Sequence, residues 1–449
     1  MSRLLHRKVN RAYPVAVSGE GLYLRGDDQR AYLDACGGAA VSCLGHGHPH
    51  VTAAIERQLR AVDYVHTSFF SSEPAERLAE HLIKHAPSGI THVSLVSGGS
   101  EAMESALKLA RQTAIERGEP QRRHVISRRQ SYHGNTLGAL AVSGNAVRRK
   151  LYDPLLFEAH FIDPCFAFRY AEPGESPEAY GRRAADQLEP KILELGPDTV
   201  MAFVAETVVG ATTGAVTAAP GYFRRIREIC DRYGVLLILD EVMCGMGRTG
   251  TLHACEQEGV APDLMTIAKG LGAGAMPIGA VLVGASVQEA IASGSGVYQH
   301  GFTYMGHPLA AAAALAVQEV IHADGLLDNV VRRGTDLRNA LDRRLGDHPH
   351  VGDIRGRGLF LGIEFVADRA TMAPFAPGLK LHERVQRAAM TEGLMVYAMP
   401  GTIDGERGNH IMLAPPFTVD AAAVEAVADR LQSAIEVVFA HDVMSAAPA

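Results

Sequence analysis

Val235–Gly250 reads VLLILDEVMCGMGRTG: an apolar, strand-like run that ends on an acid, Asp240, followed by Gly245, Gly247 and Gly250. The glycines spell G-x-G-x-x-G, the fingerprint of a dinucleotide site. Asp240 offers a second reading. Open α/β sheets present ligand-binding residues at the carboxyl ends of their strands, and Asp240 stands at such an end unless it only caps the next turn. Placement argues against the dinucleotide. A fingerprint begins at the strand end and its last glycine opens a helix. Here Asp-Glu-Val-Met-Cys intervene, TLHACEQEG is a short helical stretch, and Asp263 follows a proline where a second strand is required.

Outward from this stretch, short β-branched runs alternate with helical ones between about Pro74 and Pro308. THVSLVSGG, HVIS, GPDTVMAFVAE, VLLILDE, DLMTIAK and PIGAVLVG are strand-like; SEAMESALKLARQTAIERG and APGYFRRIREICDRYG are helical. Such alternation indicates an α/β fold with a mainly parallel sheet. From about Ala323 the pattern changes to a long helix, VVRRGTDLRNALDRRLGDH, the strands of VGDIRGRGLFLGIEF, a helix HERVQRAAMTEG, two short strands and a last helix. The expected division is a large domain over 66–322 and a smaller α+β domain over 323–449, joined by an N-terminal segment, 1–65. That segment contains the hairpin GLYLRGDDQRAYLDA, turning at Gly26-Asp27-Asp28.

At 449 residues, with 47% hydrophobic and 21% charged residues, the chain has the composition of a folded globular protein of more than one core. No apolar run approaches the about 18 residues that span a bilayer, so no membrane partner is expected. A net charge of −7 argues against a nucleic-acid surface. Six scattered cysteines without a C-x-x-C pair suit a reducing, cytoplasmic setting. The N-terminus is basic and lacks acids, as transit peptides do, but it runs directly into the hairpin and is read as part of the folded body.

Four further stretches carry chemistry. Lys269 ends DLMTIAK and precedes GLGAGAMPIGA, which holds no charge. A lysine there either snorkels or is kept from water, and desolvation makes its amine a nucleophile toward an aldehyde. Gly98-Gly99-Ser100 open a helix, either as an ordinary serine cap or as a phosphate site at bare N–H groups. SYHGNTLGA sets Tyr132 and His133 on a loop after HVIS, where an aromatic ring either stacks on a planar ligand or is buried with its hydroxyl satisfied. GFTYMGHP places Thr303 on another loop, for a phosphate or for the following helix. Together these ask for a phosphate, an aldehyde, a planar ring and a basic ring nitrogen. Pyridoxal 5′-phosphate has all four, and an aspartate keeps its ring nitrogen protonated as an electron sink.

The order SGGSEAMESALKLAR, SYHGNTLGAL, AETVVGATTG, LILDEVMCGMGRTG, TIAKGLGAGAMPIGAV, GFTYMGHPLA resembles the class III aminotransferases, fold type I pyridoxal-phosphate enzymes often called ω-transaminases. The resemblance runs from GEGLYLRGDDQRAYLDACGGAAVSCLGHGHP to HIMLAPPF. It implies that Lys269 bonds the cofactor and shuttles the proton, that Asp240 pairs with the ring nitrogen, and that Val242 and Tyr132 pack on opposite ring faces. Gly99 and Ser100 would hold the phosphate, with His133 beside the cofactor and Glu206 near its ring substituents. Thr303 would reach the phosphate of a second subunit in a homodimer whose active sites lie at the interface. The implied reaction moves an amino group from an amine or ω-amino acid to pyruvate or 2-oxoglutarate by a ping-pong mechanism. An aminomutase or decarboxylase on the same fold would need the same lysine and aspartate.

The chain departs from that pattern twice. Gly98 stands where many relatives have serine. Tyr397 stands where many ω-transaminases carry a mobile arginine for the acceptor carboxylate, and Arg407, further along the loop, is the candidate replacement. His46, His48 and His50 of GHGHPH, near Cys36 and Cys43, do not form a tetrahedral zinc pattern, so no metal is expected. Arg355 and Arg357 are read as structural.

Overall fold

Three strands, β1 (Ala16–Glu20), β2 (Tyr23–Gly26) and β3 (Ala31–Asp34), open the fold as consecutive hairpins in the computed structural model, which describes residues 3–440. The outermost positions of the two end segments, 1–2 and 441–449, lie outside the described residues. The second hairpin turns where Gly26-Asp27-Asp28 mark it, and the Tyr32 hydroxyl donates to Asp28 Oδ2 at 2.6 Å to close it.

The alternating region folds into one seven-stranded sheet. Its strands are β4 (Ile90–Val96), β5 (His124–Arg128), β6 (His160–Ile162), β7 (Val200–Glu206), β10 (Leu236–Asp240), β11 (Leu264–Ile267) and β12 (Gly279–Gly284), in the order β4-β12-β11-β10-β7-β5-β6. A two-stranded ribbon, β8 (Val208–Val209) with β9 (Val216–Thr217), follows β7. Only β12 runs antiparallel to its neighbours, so six carboxyl ends share one edge. All five residues of β10 are buried. Leu237 and Leu239 face one core, while Leu236 and Ile238 face the other. Alternate side chains go to opposite faces, and both faces are covered by helices, so an uninterrupted apolar run is required.

The helix Gly99–Glu116 covers one face with Ala102, Met103, Ala106, Leu109, Ala110 and Thr113, recurring every three or four residues. It stops at Arg117, and Gly118 (φ 72°) supplies the left-handed turn. The opposite face packs under Tyr222–Tyr233 through Phe223, Ile226 and Ile229.

The C-terminal part forms an antiparallel sheet of β13 (Val351–Arg357), β14 (Phe360–Phe365), β17 (Asn409–Leu413) and β16 (Tyr397–Pro400), in that order. Helices Leu326–Leu345, Leu381–Thr391 and Ala421–Val438 pack on it in a separate core. Between them β15 (Leu394–Met395) pairs with β3, parallel, through Leu33 opposite Leu394. The first and last parts of the chain therefore share a sheet. Among the described residues, no single helix is long and apolar enough to cross a membrane.

The glycine loop of the opening stretch is a tight turn docked between the two main sheets. Gly247 (φ 95°) and Gly250 (φ 102°) adopt left-handed backbone. Arg248 is buried and donates from Nη1 to the carbonyls of Leu359 (3.1 Å) and Pro415 (2.5 Å). No helix begins at Gly250; only a short turn, Ala254–Glu258, follows. Asp263 stands at the amino end of β11, where its carboxylate accepts from Leu237 N–H (2.7 Å) and Arg227 (2.7 Å). It ties strand to helix at the sheet edge remote from the loop.

Candidate active site

The carboxyl edge of the sheet collects the chemistry. Asp240 ends β10 in register with Glu206 at the end of β7 and with Thr266 near the end of β11. Lys269 follows β11 by two residues and begins a short turn, so it lies just past the strand it was expected to end. Its φ of 45° is left-handed, a costly conformation for a lysine that packing on every side must hold. Loops after β4 and β5 bring Gly99, Ser100, Tyr132 and His133 to the same edge. Asp240, Glu206, Lys269, Gly99, Ser100, Tyr132, His133 and Val242 line a cavity of about 410 Å³, a volume typical of small-molecule and cofactor pockets.

Asp240 is 4% exposed, and its carboxylate is oriented from three sides. Val242 N–H (3.0 Å) and Thr266 Oγ1 (3.2 Å) donate to Oδ1. His133 Nδ1 lies 2.7 Å from Oδ2, and its Nε2 lies 3.3 Å from Ser127 Oγ. Between an imidazole and a carboxylate the ring N–H donates, so Nδ1 donates to Asp240 Oδ2. The buried His133 ring thus lines the cavity and also braces the Asp240 carboxylate that faces it.

Glu206 is also buried. It accepts from Tyr132 N–H (3.0 Å) and Gly210 N–H (2.9 Å), so it ties the Tyr132 loop to the ribbon β8–β9. Burial raises its carboxyl above the ordinary range. Burial likewise holds the Lys269 ammonium below the ordinary lysine range, against the pull of Asp240 and Glu206. An amine kept from water beside two acids is suited to bond an aldehyde and then to carry a proton.

Opposite the lysine, the N–H groups of Gly99, Ser100 and Glu101 precede the first bond of their helix, Ala102 N–H to Gly98 O (2.9 Å). They have no acceptor among the described residues, and Gly99 and Ser100 line the cavity, where a phosphate would satisfy their N–H groups. Gly99 is needed here, because a Cβ would stand 2.7 Å from Val242 Cγ1. Gly134 (φ 138°) is needed as well, since a Cβ would lie 2.6 Å from Ser100 Oγ. That hydroxyl accepts from Asn135 N–H (3.1 Å) and holds the two loops together.

Three expected residues lie outside the cavity wall. Thr303 is exposed on the loop before helix Pro308–Ala323, where its carbonyl accepts from the Tyr64 hydroxyl (2.9 Å). Tyr397 packs on a cluster that includes Val208, Ala211 and Met243, all three of which line the cavity. Arg407 is exposed and bound to its own loop, with Nε 2.6 Å from Asp404 Oδ2. The GHGHPH histidines disperse: His46 pairs with Asp34 (3.1 Å) and His50 with Glu319 (3.2 Å). The one group of three close metal-type ligands among the described residues is elsewhere, at His81, His85 and His322. Arg355 is structural, reaching Asp353, Glu364 and the Gly214 carbonyl.

Sequence reasoning missed the supports. Ser127 and Thr266 carry no motif and are found only through their contacts with His133 and Asp240. Glu241 is fully buried and accepts from Ala254 N–H, Cys255 N–H (2.7 Å each) and Thr207 Oγ1 (2.9 Å), fastening the glycine loop. The adjacent acids of Asp240-Glu241 were its one visible sign.

A family model described as class-III aminotransferase matches residues 5–435. An uncharacterized aminotransferase of Schizosaccharomyces pombe is 44% identical over 433 residues, covering 96% of this chain and 94% of its own. Among solved structures, an (S)-enantioselective omega-transaminase from Thermomicrobium roseum superposes with a TM-score of 0.90 at 35% identity, over 96% of this chain and 94% of that one. The omega transaminase of Pseudomonas jessenii, solved in complex with PMP, does so with a TM-score of 0.90 at 32% identity, over 96% and 94%.

Proposed function

The chain belongs to the class-III aminotransferase family, and from that premise we propose how its residues divide the work of transamination. It is an aminotransferase of fold type I that uses pyridoxal 5′-phosphate. The bound cofactor supplies an aldehyde to bond the amino group and a protonated ring to accept electrons. The observation that carries the assignment is a desolvated amine, Lys269, placed across one cavity from a buried carboxylate, Asp240, with a histidine behind it.

In this reading Lys269 Nζ anchors the cofactor, then takes and returns the proton that moves as the amino group changes carrier. Asp240 would hold the proton on the ring nitrogen, with His133 aiming its carboxylate. Val242 and Tyr132 would pack on the ring's two faces, and Glu206 orients the Tyr132 loop, near where the ring substituents would lie. Gly99 and Ser100 receive the phosphate. The donor is an amine or ω-amino acid, and the acceptor a keto acid such as pyruvate or 2-oxoglutarate.

We place the working enzyme in the cytoplasm as a homodimer, with Thr303 directed at the partner's phosphate. Exposed Phe69 (79%), Phe70 (68%) and Tyr304 (60%) support a covered face near that threonine, and six unpaired cysteines support a reducing compartment. We divide the chain into a large domain, 66–322, and a small domain of 1–65 with 323–449; the separate cores under the two main sheets and the pairing of β3 with β15 support this reading. Replacing Lys269 with alanine is the test. Activity should fall by at least ~10²–10⁴-fold, the worth of a positioned base alone, with melting behaviour retained. An active Lys269→Ala enzyme would refute the assignment.

A further inference from the structure

The transamination reading leaves one question open, namely what receives the acid group of a substrate. Arg407 is occupied. Besides its ion pair, Asp404 is fixed by the N–H groups of Glu406 (3.0 Å) and Arg407 (2.8 Å), so the arginine and its loop form a closed unit.

Arg148 is different. It lies on the short helix Ala146–Lys150, half-buried, with its guanidinium carbon 4.6 Å from the centroid of the Tyr132 ring. Among the described residues its guanidinium makes no hydrogen bond and no ion pair. Two nearby arginines are engaged: Arg149 donates to the Ala141 carbonyl and pairs with Asp153 (3.4 Å), and the buried Arg128 donates to the Glu206 carbonyl. A cation–π contact leaves the five N–H donors of the guanidinium unused.

The position is also braced. Asn145 caps the helix by accepting from Arg148 N–H (3.1 Å). Gln130 Nε2 donates to Gly401 O (2.7 Å), joining the 401–408 loop to the same corner, where a side chain at Gly405 would meet Val147. Tyr132 lines the cavity, and Tyr397 packs on the cavity wall beside it. Burial raises the Tyr132 phenol above its ordinary range; Arg148 is the strongest charge acting against that shift and Arg7 acts with it, while Tyr397 and Asp240 act the other way. A positive, donor-rich corner thus adjoins the cavity of a chain whose net charge is −7.

We propose that Arg148 binds the carboxylate of the substrate, its guanidinium held against the Tyr132 ring that lines the cavity. The planar fork offers two parallel donors that match a carboxylate and do not match an uncharged amine. The enzyme therefore selects substrates that carry an acid group as well as the amino or keto carbon, and this rests on the transamination reading above.

The test uses the cofactor-loaded enzyme, wild type, Arg148→Met and Arg148→Lys. Methionine keeps an apolar stem on Tyr132, and lysine keeps the charge without the fork. Calorimetric titration with glutarate, an unreactive dicarboxylate, should show affinity about 10–100-fold weaker in Arg148→Met, with Arg148→Lys between. The ratio of kcat/KM for 4-aminobutyrate over butylamine should fall by a similar factor. Equal glutarate binding in wild type and Arg148→Met, no binding in either, or an unchanged donor ratio would overturn the proposal. Transamination is read separately, since turnover of any donor by the wild type upholds it whatever the arginine does.

Discussion

At the residue scale, small changes around the cavity separate positions that look alike in sequence. Gly98 and Gly99 are adjacent, yet a Cβ at Gly98 meets nothing within 4 Å, and its φ of 173° is open to any residue. Gly98→Ser should leave the fold unchanged and tighten cofactor binding several-fold, because one added hydrogen bond is worth about 1 kcal/mol. Gly99→Ala should weaken it about tenfold or more, because overpacking against Val242 costs about 1–3 kcal/mol. Fluorescence titration of the apoenzyme with pyridoxal phosphate checks both, and equal affinities would contradict the packing described. Asp240→Asn should retain the fold and slow turnover by ~10²–10³-fold, as the loss of one preorganised charge does; near-normal kcat would remove its role. Lys269 and Asp240 stand out in the sequence because each charge follows an apolar run, and the fold brings both to one cavity. The part His133 plays is not legible there, since a Y-H-G loop does not say which ring faces the ligand. Both rings line the cavity, and only the fold shows that the His133 ring meets Asp240.

At the scale of elements, sheet and helices were legible wherever hydrophobic periodicity was strong. Six of the seven central strands stand out as apolar runs. The seventh, β6, has only three residues on the sheet edge, too few for a pattern. The direction of β12 was equally hidden, because a strand buried on both faces reads the same parallel or antiparallel. Packing between elements leaves an even fainter trace. Gly334 sits inside the helix Leu326–Leu345, where sequence alone marks it as a weak point. In the fold it lets the Gly358 turn approach: a Cβ would come within 2.3 Å of the Gly358 carbonyl oxygen. Gly334→Ala should therefore destabilise by about 1–3 kcal/mol despite its better helix propensity. Urea unfolding measures this, and a stabilised variant would show that the contact does not constrain the helix.

Across the whole molecule, the two ends of the chain meet in one sheet, and buried histidines link stability to pH. The join of β3 to β15 rests on two residue pairs 361 positions apart, and no local pattern announces it. Burial, the largest cause in each case, lowers His81 and His253 to about 4 and His410 to about 3. A histidine whose folded pKa lies below its unfolded value of about 6.5 binds protons more readily when unfolded. Its contribution is complete above about pH 6.5 and is lost as pH falls toward the folded values. The melting temperature should thus drop between pH 7 and pH 4, and His81→Gln should soften the drop; a flat profile would contradict the burial of these rings. The central claim, that Lys269 and Asp240 hold pyridoxal phosphate for amino transfer, is tested most directly by the visible absorption spectrum of the purified protein. A yellow protein that is bleached by an amino donor, recoloured by pyruvate or 2-oxoglutarate, and colourless as Lys269→Ala is the expected result. A wild-type protein that takes up no pyridoxal phosphate, or whose colour no donor changes, would contradict it.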